Sequence, residues 1–121
     1  MKSHAAVAAV LLAQERGQPE CEELVAGVLR DLETSALSEQ EKVLLRFVDK
    51  VNHHSPEIGP QDMQPLHDAG YSDEAIFYAI TVCALFNFYN RWIDASGVHA
   101  LSDEAHRQGG KRSASVGYVR K

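Results

Sequence analysis

Residues 73–95, DEAIFYAITVCALFNFYNRWIDA, decide the fold. Ser72 precedes them as a capping residue, and Gly97 supplies a stop. From Ala75 to Phe88 the segment is apolar nearly all round, without the polar face of a surface helix. Such a helix must be enclosed by other helices or by another subunit, so a long central helix is predicted from about Asp73 to Ala95. Its longest strongly apolar run, Ala75 to Phe86, has 12 residues, where a bilayer requires about 20. It reads as a buried helix and not as a membrane anchor.

The segments around it are helical too. Residues 4–16, HAAVAAVLLAQER, are rich in Ala and Leu and stop at Gly17. Pro19 fits the first turn of a second helix over about 19–33, where Leu24, Val25, Val28, Leu29 and Leu32 recur at spacings of three and four. Ser38-Glu39-Gln40-Glu41 is a capping box that starts a third helix, with Val43, Leu44, Phe47, Val48 and Val51 as its stripe. It must end before Ser55-Pro56, because the residue preceding a proline disfavours α geometry. Gly59-Pro60 opens a short fourth helix that ends at Gly70. Ser102-Asp103-Glu104 begins a weaker sixth helix, expected to fade into Gly109-Gly110. No period-two strand, repeat or low-complexity tract is present, so the fold class is all-α with about six helices.

A chain of 121 residues fits a single domain, 1–121, and buries roughly two thirds of its unfolded surface. The net charge of -5, with no basic stripe, argues against a nucleic-acid partner. Lys111-Arg112, among Gly and Ser, reads as a solvated loop at the start of an irregular tail. Cys21 and Cys83 stand 62 positions apart and no secretory n-region opens the chain, which predicts a reducing, cytoplasmic setting. Cys83 reads as a small core residue, and Cys21, beside Glu20, Glu22 and Glu23, has anionic neighbours that oppose thiolate formation. His53 and His54 are adjacent, while His67, His99 and His106 show no metal-ligand spacing, so neither a metal site nor a cofactor is expected.

Asn87, Asn90 and Arg91 interrupt the apolar helix at i, i+3 and i+4, on one side of it. Polar groups so placed need hydrogen-bond partners, and they fix helix packing, build a subunit interface or line a pocket. Arg91 suits an anion, or a carboxylate such as Asp94. Tyr89 and Trp92 suit either a core or a subunit interface.

Three stretches in order, Leu37–Phe47 (LSEQEKVLLRF), Ala69–Ile76 (AGYSDEAI) and Phe86–Arg91 (FNFYNR) followed by Ser96-Gly97-Val98, resemble the AhpD-like alkylhydroperoxidase or carboxymuconolactone decarboxylase superfamily, specifically its peroxidase-related branch. They span about half the chain. The resemblance implies an AhpD-like helical array and a C-x-x-C-x-x-x-H site at a helix start, where the dipole favours a thiolate that attacks the peroxide O–O bond. The histidine of that motif falls on His4, as a proton relay, and the second cysteine would directly precede Met1. The implied domain is therefore truncated at its N-terminus and lacks the redox pair. A start assigned too late, a natural truncation and a shortened segment all leave this pattern, and the position of Met1 favours the first.

The resemblance thus implies an antioxidant oxidoreductase that is a homo-oligomer, with a hydroperoxide substrate and a thiol reductant for a full-length form, and a chain that is inactive by itself. Without cysteine partners, His4 reads equally as a helix-end histidine. Two alternatives stand beside this: a cofactor-free decarboxylase of the carboxymuconolactone type, with histidine proton chemistry, and a non-catalytic helical oligomer or binding protein.

Overall fold

The structure, a computed structural model, describes residues 8, 9, 11, 12, 14–17 and 21–117. The helical residues described within 8–16 form α1. They are followed by α2 (Glu22–Arg30), α3 (Glu39–His54), a 3-10 turn (Ser55–Glu57), α4 (Pro60–Asp68), α5 (Asp73–Ala95) and α6 (Asp103–Val116). The all-α expectation holds: six helices, and no strand among the described residues. Two compact units result, one being Leu37–Val98, the other the described residues up to Ala36 together with those from His99. No helix among the described residues is long and apolar enough to cross a membrane.

In the Leu37–Val98 unit, local sequence sets every helix end. Ser38 Oγ accepts from the Glu41 N–H at 3.2 Å while the Ser38 N–H donates to Glu41 Oε2 at 2.8 Å, so two otherwise orphaned donors are satisfied and α3 starts where the capping box requires. α3 stops at His54, ahead of Ser55-Pro56. The Gly59 N–H donates to Asp62 Oδ2 at 2.8 Å and Pro60 occupies the first position of α4. At the other end of α4, the Tyr71 N–H returns to Leu66 O at 3.0 Å and the Gly70 N–H to His67 O at 2.9 Å. This is a Schellman motif, and the φ of +90° at Gly70 is one that only glycine adopts without strain. Ser72 Oγ then accepts from the Ala75 N–H at 3.2 Å and starts α5.

These stops fold α4 back, so that α3 and α5 run side by side in the same direction. Cys83 Sγ stands 3.8 Å from Val48 O, and one turn further along both helices Asn87 Nδ2 lies 2.6 Å from Asn52 Oδ1. The core under them is Phe47, Leu66 and Ile76, flanked by Val43, Leu44, Val51 and Met63. Burying each such side chain is worth about 1.5–3 kcal/mol. Gln40 Nε2 donates to Ala69 O at 2.8 Å and Tyr71 OH to Gln40 O at 3.2 Å, which ties the first turn of α3 to the α4–α5 turn.

Three expectations need correction. First, α5 is largely exposed rather than buried: Ile76 is its one buried residue, and Phe77, Tyr78, Leu85, Phe88 and Trp92 are each more than half exposed. Within the Leu37–Val98 unit α3 lies along it and covers one stripe, with Leu66 of α4 packed near Ile76. Second, α2 ends at Arg30 rather than near residue 33, because Asp31 accepts from the Glu33 N–H at 3.0 Å and from Thr34 Oγ1 at 2.8 Å, a local turn that competes with the helix. Third, α6 continues through Gly109-Gly110 to Val116, and Lys111 and Arg112 are exposed helical residues rather than a loop. Its first turns are held by Ser102 Oγ, which accepts from the Ala105 N–H at 3.2 Å, and by the Arg107–Glu104 pair at 2.9 Å, and it ends only at Gly117, with φ +73°.

Leu66 is 1% exposed at the centre of the α3–α4–α5 core. Leu66→Ala should therefore cost about 2–5 kcal/mol in urea unfolding. Val98→Ala, at an exposed site in the same unit, should stay within about 0.5 kcal/mol of the parent.

Candidate functional site

The polar residues expected on α5 are only partly brought together. Asn87 is half-buried against α3 and joins a chain of hydrogen bonds that spans both helices. Arg91 Nη1 donates to Asn87 Oδ1 at 2.9 Å and to Asn87 O at 3.2 Å. Arginine only donates, so the amide oxygen must face it, which leaves Asn87 Nδ2 for Asn52 Oδ1 at 2.6 Å and Cys83 O at 3.0 Å. Every polar atom of the Asn87 amide is thereby used. Arg91 reaches back one turn to Asn87 and makes no ion pair with Asp94.

Asn90 does not join this chain. In the register that sets Val48 beside Cys83 and Asn52 beside Asn87, α3 ends level with Tyr89, so Asn90 faces past its last residue and is exposed. Helical spacing correctly puts Asn90 on the side of Asn87, but the length of the neighbouring helix cannot be read from α5 itself. Asn52 was missed. Its signal was present, since Leu45, Val48 and Asn52 follow one another at spacings of three and four, which places a polar group at the end of an apolar stripe.

The cysteines form no disulfide. Cys83, half-buried rather than in the core, lies between Val48 O and the Asn87 amide, 3.6 Å from Nδ2, a setting of neutral partners. Cys21 is buried at the N-cap of α2. His4 lies outside the described residues. Among the described residues no three His, Cys, Asp or Glu side chains gather into a metal-sized group. His53 pairs with Asp49 at 3.1 Å, His54 with Glu57 at 3.4 Å and His67 with Asp73 at 3.3 Å. His106 holds its Nδ1 buried without a partner among the described residues.

An open groove of about 250 Å³ runs between α3 and α4, lined by Arg46, Phe47, Lys50, Asp62 and Leu66 among others. Its charges are already matched: Lys50 Nζ lies 2.6 Å from Asp62 Oδ1, and Arg46 lies 3.5 Å from Glu39 Oε2. The hydrogen bond from Lys50, followed by that from the Gly59 N–H, holds the Asp62 carboxyl below the usual aspartate range. The groove thus offers no unmatched charge to a ligand, and the pair acts as a clasp between α3 and the start of α4.

No protein-family model matches the chain, and no curated protein or solved structure is significantly similar to it.

Two measurements check this geometry. Asn87→Ala should cost about 1–2 kcal/mol, with a coupling to Asn52→Ala above about 0.5 kcal/mol in a double-mutant cycle, whereas Asn90→Ala should be within about 0.5 kcal/mol of neutral. A carboxyl with a lowered pKa stabilises the fold fully above its unfolded value, about 3.9, and loses that contribution as pH falls through the folded value. Asp62→Asn should therefore lower the melting temperature at neutral pH and flatten its fall below about pH 4. An unchanged acid limb would show that the Lys50–Asp62 clasp is without effect.

Proposed function

We propose that these 121 residues are an assembly-forming helical part of a peroxidase-related protein of the AhpD-like type, and that they do not by themselves turn over hydroperoxide. The observation that supports assembly is the aromatic surface of α5, which is exposed among the described residues. A soluble protein rarely leaves a contiguous apolar patch of that size uncovered. The ordered resemblance of residues 37–47, 69–76 and 86–98 supports the family. In that family thiol chemistry requires two neighbouring cysteines, and here Cys21 and Cys83 are 62 positions apart, one buried and the other half-buried among neutral groups.

The residues with polar character on α5 fit the same reading. Asn87 holds α5 to α3, and the groups beside Cys83 Sγ, Val48 O and the Asn87 amide, are not bases that could activate a thiol. A thiol-peroxidase role for a full-length form, with a dithiol reductant and a cytoplasmic setting, is part of the proposal, and His4 would be its proton relay.

Two measurements on residues 1–121 test this reading. Reduction of an organic hydroperoxide by a dithiol should show no turnover above a His4→Ala control, and sedimentation should show an oligomer that dissociates on dilution. Robust turnover that depends on His4 would contradict the inactivity of these residues, and a monomer at all concentrations would contradict assembly.

A further inference from the structure

Five residues of α5, Tyr78, Val82, Leu85, Tyr89 and Trp92, follow one another at spacings of 4, 3, 4 and 3. That is the period of a helix-pairing seam. All five are exposed, by 58%, 52%, 51%, 49% and 61%, and they lie on the side of the helix away from Ile76, Cys83 and Asn87, which pack toward α3. This second seam is exposed among the described residues. With Phe86 and Phe88 at its flanks it presents on the order of 700 Å² of mostly aromatic surface, close to the roughly 800 Å² per partner of a stable interface.

From this we infer that α5 pairs with α5 of a second copy of the chain, antiparallel, in the register that seats Trp92 over the partner's Ala75. The inference rests on the assembly reading above and specifies its geometry. Size complementarity selects the direction. In the antiparallel register the layers across the seam are Trp92 with the partner's Ala75, Tyr89 with the partner's Tyr78, and Leu85 with the partner's Val82, each repeated by the two-fold axis. Trp92, the largest side chain of the seam, therefore faces an alanine, the smallest.

A parallel pair would do the reverse. It would set Trp92 against Trp92 while leaving Ala75 opposite Ala75, one crowded layer and one hollow one, and overpacking and voids both destabilise. It would also bring the two Glu74 carboxylates, which border the seam, side by side. Antiparallel pairing places them at opposite ends and aligns the helix dipoles favourably. The two-fold operation makes the contact isologous, so it closes at a dimer and leaves no open apolar end.

Cysteine cross-linking of the full chain tests the register. Tyr78→Cys and Tyr89→Cys are prepared separately, and sedimentation of each establishes that it still dimerises. Under mild oxidation each variant alone, like the parent, should stay uncross-linked, because in the antiparallel register two copies of residue 78 are about 16 Å apart along the axis. A one-to-one mixture should form a disulfide-linked dimer whose linking peptides carry residues 78 and 89. Cross-linking of either variant with itself would overturn the antiparallel register, and a dimer with no cross-link in the mixture would overturn α5 as its interface, while both leave the assembly reading intact. A monomeric parent would overturn both.

Discussion

The structure depends on one constraint: α5 has more apolar surface than one neighbouring helix can cover. α3 occupies the stripe of Ile76, Ala79, Cys83 and Asn87, and it ends at His54, before α5 does. What faces away from α3 is not the polar side of an amphipathic helix but a second apolar stripe. The core of Phe47, Leu66 and Ile76 is accordingly small, and the hydrophobic effect has a large uncompensated contribution available on the outer face of α5.

Seen from that constraint, the Asn52–Asn87–Arg91 chain has a structural purpose. Two helices running in the same direction with small residues between them could slide by a turn and lose little packing. An amide that bonds both of its neighbours, at 2.6 and 2.9 Å, opposes that freedom, since a slip would break both hydrogen bonds. The Lys50–Asp62 contact at 2.6 Å does the same for α4. Fixing the register of α5 on α3 also fixes which of its residues point outward, so the inner hydrogen bonds define the outer seam.

Much of this was legible in the residues. The capping box at Ser38, the stop ahead of Pro56, the proline start and glycine end of α4 and the cap at Ser72 are local rules, and each operates where the sequence places it. The errors arose where local rules compete or where distance matters. Asp31 can cap a turn as well as sit in a helix, and Gly109-Gly110 lowers helix propensity without stopping a helix whose first turns are well held. Asn90 has the right helical phase and the wrong height, because the end of α3 lies in another part of the chain. An all-round apolar segment was read as central, yet the same composition serves a helix with two separate partners, and composition alone cannot say whether the second belongs to the same chain.

Trp92 is the sole tryptophan and lies on the outer seam, 61% exposed, which makes it a direct reporter of whether that seam is covered. The decisive measurement is its emission maximum and acrylamide quenching as the full chain is diluted from high to low concentration. The expected result is a blue-shifted, shielded indole at high concentration that becomes red-shifted and freely quenched on dilution, in step with dissociation of the dimer. An indole that is solvated and quenchable at every concentration, or shielded at every concentration in a protein that sediments as a monomer, would contradict pairing through α5.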